Sequence, residues 1–172
     1  TAVVNRVWEV AAHRRPVDRM AVLDAAFPIN RREGYFHLFA RRGFHEYQII
    51  VSRPAFADAV ERIRRSIDRH GACVTLSSLK LFSGELRLLW FRGDGVCLTF
   101  DGPATAATLR FFEDLDALAV ELGAPVNVAK DSRLSARTAA AVFPQYDEFR
   151  DRLRLFDPHR RFDSVMRRRL GV

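Results

Sequence analysis

The chain has 172 residues, 48% of them apolar, with an ordinary charged fraction of 28% and a net charge of +7. This suits one domain, or one domain plus an appendage, with a proper core, and it excludes a disordered chain. No apolar run approaches the length of a membrane span. The basic balance points first to nucleic acid, but the basic residues are spread along the chain and mixed with acids at helical spacing, as in ERIRRSIDRH. The one dense run, Met166 to Arg169, reads as a solvated face of a terminal helix, so no nucleic-acid partner is expected.

Residues 2–14 can form an amphipathic helix with Val3, Val7 and Val10 on one side, ended by Pro16. Residues 17–44 hold aromatics and several Arg with weak periodicity, which predicts loop, a short helix near 30–40 and a turn at Gly43. EYQIIVS then alternates as a strand, with Tyr47, Ile49 and Val51 on one face and Gln48, Ile50 and Ser52 on the other. Pro54 opens a helix to about His70 with a stripe of Phe56, Val60, Ile63 and Ile67, closed by Gly71. Residues 73–82 predict a second strand, in which Leu76, Lys80 and Phe82 share a face. LRLLWF is strand-like and Gly93-Asp94-Gly95 is a hairpin signal. VCLTF predicts another strand, with Val96, Leu98 and Phe100 on one side and Cys97 and Thr99 on the other. Asp101-Gly102-Pro103 opens a long helix to about Leu122, ended by Gly123, and residues 125–129 form a last short strand. From about 135 the chain turns helical: SARTAAAVF, YDEFRDRLRLF, and a short helix after Asp157-Pro158 that ends at Gly171. The order implies an α+β fold: an antiparallel sheet with helices on one face, as in a ferredoxin-like split βαβ unit, followed by a helical C-terminal segment.

Most motifs of known chemistry are absent. There is no GxGxxG fingerprint, no phosphate-binding P-loop and no Gly-x-Ser-x-Gly elbow. The five His lack ligand spacing, so no metal is expected. Cys73 and Cys97 are too few for a disulfide framework and read as two small buried residues in a reducing compartment. Among 28 basic residues only Lys80 and Lys130 are not Arg. Arg is a broad planar fork, whereas Lys is a compact point charge, so a chain this rich in Arg can keep Lys where only Lys works. If helices cover the Tyr47 and Leu98 side of the sheet, the opposite face carries Gln48, Cys97 and Lys80, with Lys130 at the end of the last strand. Amide, thiol and ammonium groups suit a surface covered by a partner domain or a flat ligand. Strict alternation with Val126 and Val128 sends Lys130 to the core side; a strand ending by Ala129 removes that conflict.

The segment Val128-Ala129-Lys130-Asp131-Ser132-Arg133, followed by a helix and by the ending Asp157-Pro158-His159-Arg160-Arg161-Phe162 with Met166-Arg167-Arg168-Arg169-Leu170, resembles the C-terminal end of FAD-linked oxidases of the vanillyl-alcohol-oxidase superfamily, in the branch of the decaprenylphosphoryl-β-D-ribose and sugar-lactone oxidases. Arg41-Arg42-Gly43-Phe44-His45-Glu46-Tyr47-Gln48, Leu79-Lys80-Leu81-Phe82 and Val96-Cys97 agree in order, so the likeness runs from about residue 2 to 172. It implies a chain that corresponds to the substrate domain, with most of the FAD held by an upstream FAD-binding domain that would be its partner. It further implies Lys130 by the flavin and the reacting hydroxyl, Cys97 against the isoalloxazine ring, and Gln48 and Lys80 lining the substrate pocket with Leu76 and Phe82 as apolar wall. This sequence departs from the family's pattern at three positions: Asn127 stands where the family has Tyr, Glu46 where it has Gln, and Gly95 where it has Asn. Asn127 therefore belongs to an altered substrate pocket.

The expected organisation is an N-terminal helix and aromatic connecting segment over 1–44, an α/β substrate domain over 45–130 and a helical segment over 131–172. The implied activity is oxidation of a secondary alcohol of a sugar-like substrate, in a chain that would be inactive, or nearly so, by itself. The cytoplasm is the expected location, with peripheral contact with a membrane left open. The rival is a non-enzymatic, basic ferredoxin-like module that binds RNA or protein. An RNA-binding version needs exposed aromatics on the central strands, where Tyr47 and Phe100 are the candidates.

Overall fold

Two alternating segments build the centre of the sheet. In the computed structural model, which describes residues 42–172 and, before them, 6, 10, 19, 21–26 and 39, β1 (Phe44–Val51) and β3 (Gly95–Pro103) pair antiparallel from Phe44↔Pro103 to Val51↔Val96. β2 (Leu76–Phe82) pairs antiparallel with the other edge of β3, from Leu76↔Asp101 to Phe82↔Gly95, giving the order β1-β3-β2. Beyond β1 lies one isolated antiparallel bridge, Ile49↔Val126. With it the order becomes that of a ferredoxin-like sheet whose fourth strand has shrunk to a single rung.

The chain divides into units 1–43 and 44–172. In the first, the short helix α1 (Val22–Ala26) occupies part of the stretch read as loop. Arg6 and Val10 are helical; the rest of the helix expected over 2–14, and the one expected near 30–40 apart from the turn residue Phe39, lie outside the described residues. Gly43 has φ +67°, which supports the turn expected there.

In the second unit, α2 (Phe56–His70) buries Ala59, Ile63 and Ser66, and ends at Gly71 in the left-handed conformation. α3 (Ala106–Leu122) starts at Thr105, whose hydroxyl caps the Thr108 amide, and buries Phe111, Phe112, Leu115, Leu118 and Ala119 at helical spacing. Both helices lie on the face of Tyr47, Ile49, Val51, Leu98 and Phe100, and together these residues form the core. Burial of each large side chain there stabilises the fold by about 1.5–3 kcal/mol. The helices stop short of β2, whose Leu79 and Leu81 remain exposed. Three short helices follow, α4 (Ala136–Val142), α5 (Tyr146–Phe156) and α6 (Val165–Leu170). Ser135 and Ser164 cap the first and last of them with side-chain oxygens.

Four expectations need correction. LRLLWF is not a strand: Leu88 has φ +51°, and turns close from Trp90 to Arg87 and from Arg92 to Trp90. Gly95 is the first residue of β3 rather than a hairpin turn, and a Cβ there would lie 2.2 Å from the Val51 carbonyl oxygen. Asp101, Gly102 and Pro103 extend β3 instead of opening α3. Finally, the strand expected over 125–129 reduces to the Val126 bridge, because Pro125 has no N–H to donate and the chain turns at Asn127.

Candidate functional site

Side chains alternate across a strand, so the even positions of β1 and β2 and the odd positions of β3 share the face opposite the core. The register sets Gln48 and Ser78 on either side of Thr99, and Ile50 and Lys80 on either side of Cys97. Gln48, Cys97 and Lys80 are thereby brought to one face. Leu76 and Phe82 lie on it at the two ends of β2, each half-buried, with the Phe82 ring edge-on to Phe91 at 5.6 Å. The centre of this face is covered rather than open: Gln48 is 7% and Cys97 1% exposed. The connection over 83–94 contributes, since a Cβ on Gly93 would meet Ile50 at 3.6 Å.

At one end of the face four residues form a closed ring of polar contacts. The Asn127 side-chain amide donates to Gln48 Oε1 at 2.8 Å, and Gln48 Nε2 donates to Glu46 Oε1 at 2.5 Å. The other Glu46 oxygen lies 3.5 Å from Lys130 Nζ. The Lys130 backbone N–H returns to the Asn127 carbonyl at 3.1 Å. The turn that makes this possible is held by Asn127 itself, whose carbonyl also accepts from Asp131 and whose side-chain oxygen accepts from Ala129. Extended pairing stops at Asn127, where its N–H meets the Gln48 carbonyl, so Lys130 leaves the alternation and the conflict over its face disappears. The Lys130 side chain is half-exposed, whereas that of Glu46 is 18% exposed.

Burial pushes the Cys97 thiol above the ordinary thiol range; its neighbour Thr99 and the Lys80 ammonium pull it down without cancelling that effect, and Glu46 adds to the rise. Cys97 is therefore a covered, neutral thiol in this structure. Cys73, expected to be buried, is exposed.

Arg133 has a structural part. Its fork reaches Asp116 at 2.6 and 2.9 Å, donates to the Phe112 carbonyl at 3.2 Å, and lies over the Tyr47 ring. Tyr47 donates its hydroxyl to the same Asp116 at 2.9 Å. Asp131 turns its carboxylate back to the amides of Arg133 and Leu134, and its carbonyl accepts from Arg169 of α6. The AKDSR segment thus anchors the turn of Lys130 to the core and to the last helix.

The sequence singled out Gln48, Lys80, Cys97, Lys130 and Asn127 and put Thr99 on the side of Cys97, but did not foresee Glu46 as their link or Ser78 as a row partner. The alternation contained the signal for Ser78. Tyr47 and Phe100 are buried in the core, so neither candidate can stack on an RNA base. Among the described residues no group of His, Cys, Asp or Glu could hold a metal ion, and no helix is long and apolar enough to cross a membrane.

The fold and this face define an α+β domain with a ferredoxin-like strand order and a polar cluster on its non-helical face, and the chain is related to an oxidase. It is 35% identical, over 135 residues and 78% of its length, to decaprenylphosphoryl-beta-D-ribose oxidase of Mycolicibacterium smegmatis. It is 30% identical, over 164 residues and 94% of its length, to an uncharacterized protein of the mprA 5' region of Streptomyces coelicolor. The chain spans 29% and 44% of the lengths of these two relatives. No protein-family model matches it.

Proposed function

We propose that this chain is the substrate-binding part of an FAD-dependent oxidoreductase that oxidises a secondary alcohol of a sugar or sugar-lactone-like substrate. A separate FAD-binding domain, N-terminal to it, would hold most of the cofactor. The observation that carries the reading is the Asn127–Gln48–Glu46–Lys130 ring on the face that also bears Lys80 and Cys97, in a chain related to an oxidase. The donor set fits a flavin edge and a polyhydroxyl ligand, both rich in acceptor oxygens and nitrogens. The Gln48 and Asn127 amides each keep a second N–H, and Lys130 offers an ammonium.

Bound against this face, FAD would supply the two-electron acceptor for the hydride that leaves the carbinol carbon, while the hydroxyl proton leaves to a base. Lys130 would hold a positive charge where electron density grows. Gln48, Asn127 and Lys80 would orient the substrate hydroxyls. Leu76 and Phe82 would form an apolar wall that limits water. Cys97, a neutral thiol covered in this structure, would support the face from beneath rather than offer the ring a free surface.

The test is a visible spectrum of the protein expressed from its gene's own start codon, before and after anaerobic addition of sugar alcohols and lactones. Flavin bands that bleach with substrate are expected. In Lys130→Ala the bands should persist and bleaching should slow by about 100-fold. A colourless protein that takes up no FAD overturns the reading.

A further inference from the structure

The ring contains one residue whose charge is opposite to that of the ammonium it holds, Glu46. A carboxylate accepts hydrogen bonds and donates none. Glu46 therefore obliges the Gln48 side chain to turn its NH₂ toward β1's first residues and its carbonyl oxygen toward Asn127, as the bonds at 2.5 and 2.8 Å record. A neutral amide at position 46 could accept or donate, and would leave that orientation free to flip. The same carboxylate stands 3.5 Å from Lys130 Nζ and has only 18% of its side chain exposed, so it offsets the ammonium from the less hydrated side. No other acid is within ion-pair reach of Lys130 among the described residues.

We propose that Glu46 is a positioning residue that lowers the positive charge of this site: by pairing with Lys130 and locking the Gln48 amide, it presents to the ligands a less cationic, hydrogen-bond-donating surface than the two lysines would alone. This rests on the flavin reading above and deepens it. A site so balanced suits an uncharged polyhydroxyl substrate and stabilises negative charge on a flavin less than a free lysine does.

Two measurements test it. The first uses the full-length flavoprotein and inorganic sulfite, which reversibly bleaches bound flavin and places negative charge on the ring. Glu46→Gln should tighten sulfite binding about two- to fivefold, the scale of a partly exposed ion pair. Glu46→Asp, which keeps the charge, should leave sulfite binding as in the native protein. No tightening in Glu46→Gln, or equal tightening in Glu46→Asp, overturns the proposal and leaves the flavin reading standing. A protein without flavin colour sinks that reading and this proposal with it, and is seen before any variant is compared. The second measurement needs no flavin: nuclear magnetic resonance of the Gln48 side-chain amide. Its protons should be shifted and slow to exchange in the native protein, and lose both properties in Glu46→Gln. Signals unchanged by the substitution overturn the lock.

Discussion

Replacing Arg133 by Ala should cost the fold about 3 kcal/mol, although the residue lies in a segment that reads as part of the functional motif. The magnitude follows from what is left behind. The Arg133 side chain is 16% exposed and its partner Asp116 17%, so water replaces the guanidinium poorly. Asp116 would keep only the Tyr47 hydroxyl, and the second oxygen of Asp131, whose side chain is fully buried, would lose the Arg133 contact at 3.5 Å. The contacts over the Tyr47 and Phe112 rings would go as well. With a urea m-value of about 2 kcal/mol/M, the midpoint should fall by about 1.5 M. Arg133→Lys keeps the charge but loses the fork, and should cost about half as much. Urea titration of the chain followed by circular dichroism is the assay. A loss under about 1 kcal/mol for Arg133→Ala would show that the pair behaves as an exposed one, and that AKDSR is not the anchor described above.

Iodoacetamide at neutral pH should label exposed Cys73 well before Cys97, and Cys97 labelling should climb only as the pH rises past the ordinary thiol range; equal rates at pH 7, read by mass spectrometry, would contradict the covered, neutral thiol. Burial and the adjoining Asp116 raise the Tyr47 phenol well above its usual range, with Arg133 opposing. An acid whose folded value is raised stabilises the fold fully below its unfolded value and loses that contribution as the pH climbs through and above it. The urea midpoint should therefore decline from about pH 10 upward, and decline less steeply in Tyr47→Phe. Parallel declines in the two proteins would count against a buried neutral Tyr47.

The parts of the fold that depend on local periodicity were legible. β1, the centre of β3 and the two long helices fall where they were expected, and of the α2 stripe Ile63 is buried while Phe56, Val60 and Ile67 pack half-buried against the core. The parts that depend on turns and close approaches were not. LRLLWF has the composition of a strand, yet the positive φ of Leu88 and the turns over Arg87 to Arg92 break its extended run. Gly95 has the look of a turn glycine, but its role is to let β3 approach the Val51 carbonyl. The polar face followed from counting alternate positions, and so Gln48, Lys80 and Cys97 could be grouped. The pairing of Glu46 with Lys130 could not be counted. It depends on the turn at Asn127 bringing the end of the bridge segment back over the start of β1, a meeting of residues far apart in sequence.

The scarcity of lysine has a practical side. Lys80 sits in the row of Cys97 and Lys130 closes the ring with Glu46, so both ε-amines of the chain belong to one face. Amine-directed chemistry is consequently a map of that face: acylating reagents, amine crosslinkers or an acetyl group would find it and, apart from the chain's own α-amine, nothing else. A lysine-specific protease divides the unlabelled, unfolded chain into 1–80, 81–130 and 131–172 and does not cut after an acylated lysine, so loss of the cut at 80 or at 130 reports each amine by itself.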